Sequence, residues 1–112
     1  MPHLIIEYAA PLAQDVDMQA LVEAAFNAAK ATDLFTPAAI KARAHPVDAY
    51  WIGGAKQPFM HIDVKILPGR TAVQKKTLSQ SVFDAVSALL DADVALSVEV
   101  NDLDADAYAK RA

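Results

Sequence analysis

The second residue of the chain, Pro2, is the first candidate for chemistry. Proline is small enough for removal of Met1 to leave it at the amino terminus, where its secondary amine is a base. An ordinary α-amino group has a pKa of roughly 7.7–8.0, against about 10.4 for lysine, and burial beside apolar groups and cations lowers it further. The alternative is that Pro2 only begins a strand, where its missing N–H costs nothing.

Three cations could hold an anionic ligand near such a base. Lys41 and Arg43 share one side of an extended segment with His45, so the three side chains can converge. Arg70 precedes a predicted helix, whose free N–H groups and dipole favour anions. Both arginines could instead be exposed charges without a ligand. His45 and His61 could exchange protons near neutrality, or could be structural histidines bonded across a subunit interface.

The elements that carry these residues are predicted from hydrophobic periodicity. Asp17 is a plausible N-cap for the first helix, and Thr71 with Gln74 fits a capping box at the start of the second. Pro46 interrupts the second strand, which predicts a bulge or an edge position. In chain order, the periodicity predicts strands over 3–8, 40–51, 59–67 and 94–100 and helices over 17–31 and 71–90.

The order β-α-β, β-α-β predicts an α+β fold. Each helix is long enough to cross back over a sheet, so we expect parallel pairing within each unit, one four-stranded sheet and both helices on one face. The other face should be polar, and it faces either water or the sheets of other subunits. It should carry His3, Glu7, Lys41, Arg43, His45, His61, Asp63, Lys65, Ser97 and Glu99.

Composition restricts the classes of protein. The chain has 112 residues, which make one domain, 1–112, and its 54% of hydrophobic residues is rich in alanine, so the core should be thin. The absence of cysteine excludes disulfides and thiol chemistry, and the histidines lack metal-site spacing. A net charge of −4 gives no general attraction for nucleic acid, and no segment approaches the roughly 20 apolar residues of a membrane span. Without a secretion signal, we expect a cytoplasmic protein.

Four pieces of the sequence form a specific pattern by their order and spacing. They are the opening Met-Pro-His-x-Ile-x-Glu, Arg-Ala-His-Pro-Val-Asp at 43–48, Phe-Met-His-Ile-Asp-Val-Lys-Ile at 59–66 and Gly-Arg-Thr at 69–71. Together they resemble the 5-carboxymethyl-2-hydroxymuconate isomerase family of the tautomerase superfamily. The resemblance runs from position 2 to about position 100 and is weak in the first helix.

The resemblance implies a cofactor-free homotrimer with sheets inward and an active site around each terminal proline. It implies that Pro2 is the base that moves a proton along a conjugated dienol to give an unsaturated ketone, and that Lys41, Arg43 and Arg70 bind the carboxylates of a di- or tricarboxylate. Phe59 is a candidate to wall the pocket with apolar surface, or a core residue. Family members act in homoprotocatechuate breakdown.

One departure from the family concerns the substrate. The family usually has arginine where this chain has Lys41, and lysine cannot offer a planar two-pronged grip. Two alternatives therefore stay open. One is another reaction of the superfamily, on a different hydroxymuconate or as a hydratase or dehalogenase. The other is a trimeric binding protein whose proline is inert.

Overall fold

Two β-α-β units build the chain, as the sequence predicts. The computed structural model describes residues 1–111. In chain order, the elements are β1 (His3–Ala9), α1 (Met18–Ala31), β2 (Lys41–Val47), β3 (Phe59–Ile66), α2 (Ala72–Ser87) and β4 (Ala95–Asp102). No helix in this range is long and apolar enough to span a bilayer.

The four strands form one sheet in the order β2-β1-β3-β4. β1 runs parallel to β2 and β3 parallel to β4, whereas the central pair, β1 with β3, is antiparallel. His3 is therefore opposite Lys41 on one side and Lys65 on the other. The start of β1, the start of β2 and the ends of β3 and β4 meet at one end of the sheet. We call it the Pro2 end.

The core lies between one face of the sheet and the two helices. Residues alternate along β3 between buried and half-buried, and Leu4 and Ile6 of β1 are fully buried on the same side. Burying such a side chain contributes roughly 1.5–3 kcal/mol, and a slip by one residue would expose every one of them. The apolar pattern therefore fixes which side chains reach the opposite, polar face. The buried helix residues are Leu21, Ala25, Ala29, Leu78, Val82 and Val86.

Both helix starts are capped as predicted. The Asp17 carboxylate accepts from Ala20 N–H at 3.1 Å. Thr71 Oγ1 accepts from Gln74 N–H at 3.1 Å while Gln74 Oε1 accepts from Thr71 N–H at 2.8 Å, which completes the capping box. These bonds satisfy N–H groups that lack a partner within the helix.

The end of α1 contains a left-handed residue that is not glycine. Asp33 has φ of 58°, and its N–H donates to Lys30 O at 3.2 Å. A left-handed residue just past a helix is a common way to end it, and aspartate tolerates this conformation better than most residues. The turn sends the connection 34–40 toward the start of β2, at the Pro2 end.

The second strand is shorter than predicted. It ends at Val47, because β1 ends at its pairing partner Ala9 and offers nothing further to pair with. Beyond it, an isolated bridge between Ile52 and Ala55 closes a turn. Pro46 lies within β2, which is an edge strand, as its missing N–H predicts. The helix α2 also ends earlier than predicted, at Ser87.

Candidate active site

The amino terminus of the chain is buried at the Pro2 end. Met1 is 8% exposed and Pro2 is fully buried. Pro2 O accepts from Lys41 N–H at 2.9 Å, which extends the ladder between β1 and β2. The Met1 amine and Lys41 Nζ both donate to Ala39 O, the lysine at 3.0 Å. The shared carbonyl places the Lys41 ammonium beside the amino end of the chain.

This environment leaves a larger fraction of the terminal amine unprotonated at neutral pH. Its pKa is lowered from the ordinary 8.0, first by burial and then by the charges of Lys41 and Lys110. Both causes disfavour the protonated form. The amine here belongs to Met1, and Pro2 is the next residue along the chain.

Arg43 is linked to the start of β1 through His3. Arg43 Nη1 lies 3.1 Å from His3 Nδ1. The guanidinium has donors only, so Nδ1 must accept, and the proton of the neutral ring is on Nε2, which donates to the Tyr108 hydroxyl at 2.9 Å. The pKa of His3 is lowered by burial first, then by Arg43, Lys41, the amino terminus and Lys65. The neutral ring can therefore hold the arginine in place.

Arg70 is fixed against the connection that follows α1. One terminal nitrogen of its guanidinium donates to Leu34 O, and the guanidinium carbon lies 5.5 Å from the centre of the Phe35 ring. The Nε N–H is buried and lacks a hydrogen-bond partner among the described residues. A buried N–H of this kind is normally satisfied by a bonded group or a water molecule. The guanidinium has five N–H donors, so a carboxylate could bind donors other than the one that bonds Leu34 O.

The structure brings four of the five predicted site residues to one end of the sheet. Pro2 and Lys41 are bonded through the backbone, and Arg43 lies two positions further along the same strand. Arg70 follows the end of β3 and bonds the connection 34–40, which also receives the amino terminus.

Phe59 is not brought to the Pro2 end of its own chain. It begins β3, pairs with Ala95 and packs on Tyr50 with ring centres 5.4 Å apart. At about 3.3 Å per residue, it lies roughly 20 Å along the strand from Lys65, the partner of His3. Only a neighbouring subunit could bring a Phe59 to this site.

Four further residues of the site were not assigned from the sequence. His3 and Lys65 were predicted on the polar face, which was the available signal, but without a role beside Pro2. Tyr108 and Lys110 lie in the last residues of the chain, which have no periodicity. Nothing in the sequence predicts that this tail folds back on β1.

The polar face of the sheet has its own hydrogen-bond network. His61 bonds Ser97 Oγ through Nδ1 at 2.6 Å and the Glu99 carboxylate through Nε2. The pKa of Glu99 is lowered first by its bond with Asn101 and then by that with His61. His61 is thus occupied on β4 and does not approach Pro2. No three metal-ligating side chains within residues 1–111 form a group that could hold a metal ion.

A cavity of about 500 Å³ lies at the opposite end of the sheet from Pro2. Its lining is largely apolar and includes Tyr50 and one cation, Lys56, whose ammonium lies 5.1 Å from the Tyr50 ring centre. Its titratable lining residues are otherwise carboxylates, which repel a substrate with several negative charges. The cavity therefore does not fit the chemistry of the Pro2 end. Its carboxylates are Asp15, Asp91 and Asp93.

Comparison with known proteins links the whole chain to one family. A family model described as 5-carboxymethyl-2-hydroxymuconate isomerase matches residues 2–112. The chain is 26% identical over 110 residues to the 5-carboxymethyl-2-hydroxymuconate Delta-isomerase of Escherichia coli, covering 92% of this chain and 87% of that protein.

Solved structures agree on the fold. The crystal structure of a 5-carboxymethyl-2-hydroxymuconate isomerase from Deinococcus radiodurans R1 has a TM-score of 0.86 and 23% identity, covering 98% of this chain and 88% of the other. A structure described as a fused 4-OT wild type symmetric trimer has a TM-score of 0.74 and 18% identity, covering 90% and 86%. The α+β tautomerase fold predicted from the sequence is confirmed.

Proposed function

Because the chain belongs to the 5-carboxymethyl-2-hydroxymuconate isomerase family and is an isomerase, we propose that it isomerises 5-carboxymethyl-2-hydroxymuconate with the amine of Pro2 as base. The observation that carries the proposal is the position of the amino terminus. It is buried, its amine has a lowered pKa, and the cations of Lys41 and Lys110 lie close by.

The proposed reaction is a proton transfer within one molecule. The Pro2 nitrogen takes the proton of the dienol hydroxyl, so that the C–O bond becomes a carbonyl. The electron pair released moves along the conjugated chain to a carbon atom, which receives a proton from the protonated amine. No cofactor is needed, because the proton is returned and no electrons are gained or lost.

The cations of the site suit a substrate with several carboxylates. The Arg70 guanidinium is fixed by its bond to Leu34 O, and Arg43 is held at the polar face by His3. Arginine binds carboxylates with two parallel hydrogen bonds, and each charged bond is worth about 1.5–3 kcal/mol. The same charges favour the unprotonated amine, so they both bind the substrate and keep the base free of its proton at neutral pH.

Removal of Met1 is essential to this mechanism. While Met1 is attached, the Pro2 nitrogen is part of an amide and has no basic lone pair. Met1 is also nearly buried, so its side chain takes up space directly beside that nitrogen. Processing would free the amine and leave this space to a substrate.

The decisive experiment compares processed protein with a preparation that retains Met1, each verified by mass. We expect processed protein to convert the 2-hydroxymuconate and the retained form to lose at least about 10²–10⁴-fold, the usual contribution of a general base. Activity should rise with pH as the Pro2 amine loses its proton, with a midpoint below that of an exposed terminal amine, because burial and nearby cations disfavour the protonated form. Pro2→Ala, which keeps a primary amine, should lose less than the retained form. Equal turnover by both preparations would exclude the proline mechanism.

Lys41 supports a second candidate reaction. Because lysine lacks the planar fork of arginine, the site could prefer a different hydroxymuconate or another unsaturated acid. Ultraviolet assays on a panel of 2-hydroxymuconates distinguish the two. The preferred substrate is the one with the highest kcat/KM, and Lys41→Arg should shift preference toward the tricarboxylate if this residue sets it.

We also propose a homotrimer. The polar face of the sheet carries a row of ionisable side chains that bond along it, both helices pack on the opposite face, and β2 and β4 are the outer strands. A similar fold occurs in a structure described as a symmetric trimer. Burying this face between subunits satisfies its polar groups and adds to a thin, alanine-rich core.

A further inference from the structure

The C-terminal tail, residues 103–111, folds back over the Pro2 end. β4 ends beside the end of β3, where Leu103 N–H donates to Ile66 O at 2.6 Å. A short 3-10 helix, Ala105–Ala107, follows, and the Asp104 carboxylate caps it by accepting from Asp106 N–H at 3.0 Å. The turn sends the chain across β3 to β1, about two strand spacings of 4.8 Å away.

Tyr108 makes the contact with β1. Its hydroxyl lies 2.9 Å from His3 Nε2, and the two rings meet edge to face with centres 6.1 Å apart. The other ring nitrogen of His3 accepts from Arg43. A hydrogen bond and a ring contact therefore fix the imidazole that in turn orients the guanidinium.

Lys110 lies two residues beyond Tyr108, whose contact with His3 brings this part of the tail to the amino end of the chain. Among the charges that lower the pKa of the terminal amine, Lys110 has the second-largest effect, after Lys41. The titratable groups around the amine are thus Lys41 on β2, His3 on β1 and Lys110 on the tail, with Lys65 of β3 acting on His3. The tail supplies one cation of this set.

We propose that the C-terminal tail is a wall of the active site, in which Tyr108 is a positioning residue that holds Arg43 through His3 and Lys110 adds a positive charge beside the base. The role of Tyr108 in substrate binding rests on the function proposed above. The charge of Lys110 beside the amine does not depend on which substrate is used.

The test of Tyr108 is a double-mutant cycle. Tyr108→Phe keeps the ring and removes one hydrogen bond, worth about 0.5–1.5 kcal/mol, so KM should rise about two- to tenfold with kcat nearly unchanged. In an Arg43→Ala background, the same change should have no further effect, because Tyr108 acts through Arg43. The positioning role would be overturned if Tyr108→Phe had the KM of wild type. It would also be overturned if the substitution raised KM as much in the Arg43→Ala background as in wild type.

The test of Lys110 is read without turnover. NMR titration of the ¹⁵N-labelled terminal proline should show a higher midpoint in Lys110→Gln than in wild type. Lys76→Gln removes the same charge from an exposed position of α2 and should leave the midpoint unchanged. Equal midpoints in all three proteins would refute the tail as a source of charge. If processed wild type converts none of the 2-hydroxymuconates, the proposed function fails, while this titration still decides the role of the tail.

Discussion

The guanidinium of Arg70 is held in place yet retains capacity for a ligand. Its bond to Leu34 O and its position over the Phe35 ring fix the plane of the group, which limits the entropy lost on binding. The Nε N–H is buried and has no hydrogen-bond partner among residues 1–111. The other N–H groups of the guanidinium remain as donors for a carboxylate. Arg43 differs, because its side chain is exposed and is steadied by His3.

We predict that Arg43→Ala and Arg70→Ala each lower kcat/KM about ten- to a hundredfold. This corresponds to about 1.5–3 kcal/mol for hydrogen bonds to a charged group. If these arginines bind substrate carboxylates, much of the loss should appear as a higher KM. Arg70→Lys keeps the positive charge but loses the planar guanidinium, so its kcat/KM should lie between those of wild type and Arg70→Ala. Lys76→Ala serves as the surface control, and unchanged kinetics in both alanine variants would place the pocket elsewhere.

We predict that His3 makes stability depend on pH near and below 6.5. Its pKa is lowered from that value in the folded chain, so the unfolded state binds the proton first as the pH falls. Its contribution is therefore complete above 6.5 and is lost as the pH falls through this window. Urea unfolding of wild type and His3→Gln at several pH values, at equal protein concentration, measures the difference. Identical pH dependence in the two proteins would contradict the prediction. High salt should weaken the share of this pH dependence that comes from the neighbouring cations.

The start of α2 fixes the backbone directly after Arg70. The capping box between Thr71 and Gln74 satisfies two N–H groups and thereby sets the point at which the helix begins. Loss of this cap would affect both the stability of the chain and the position of Arg70, because Arg70 is the residue before the cap.

We predict that Thr71→Ala lowers the free energy of unfolding by about 1 kcal/mol. Thr77→Ala is the matched control, because Thr77 is an exposed residue within α2 where alanine has the higher helix propensity. It should be neutral or slightly stabilising. Urea denaturation at one protein concentration compares the two. An equal effect of both substitutions would mean that the cap contributes nothing.

The elements could be predicted from sequence because local physics determines them. Alternation placed Ile62 and Val64 inside, and the cap residues Asp17 and Thr71 marked both helix starts. The end of β2 could not be predicted, because it depends on where β1 stops. The places of Phe59 and the tail depend on strand order and on distant contacts, which periodicity does not contain. The sequence thus predicts which cations gather at the Pro2 end, but not which residues surround them.

The whole molecule needs more than one chain if Phe59 is to wall the site. Phe59 and Pro2 lie at opposite ends of the sheet, so a trimer would have to bring the Phe59 of one subunit to the Pro2 of the next. Sedimentation equilibrium should show a trimer at micromolar concentration. A monomer would exclude any site shared between subunits.

We predict that mixed trimers restore activity if Phe59 acts between subunits. A Phe59→Ala protein lacks the wall, and a protein that retains Met1 lacks the base. After the two are unfolded and refolded together, some sites combine a free Pro2 with an intact Phe59 from the neighbour. Activity should then exceed the average of the separate preparations. Activity equal to that average would assign Phe59 to the core of its own chain.

The left-handed Asp33 at the end of α1 has a consequence for the laboratory evolution of this enzyme. Its conformation, with φ of 58°, decides where the following carbonyl, Leu34 O, points, and that carbonyl orients Arg70. Asp33 thus influences the orientation of Arg70, the cation proposed to bind a substrate carboxylate. Glycine at position 33 would relax the turn, and a β-branched residue would distort it. Libraries limited to pocket-lining positions would miss this route to a changed substrate preference.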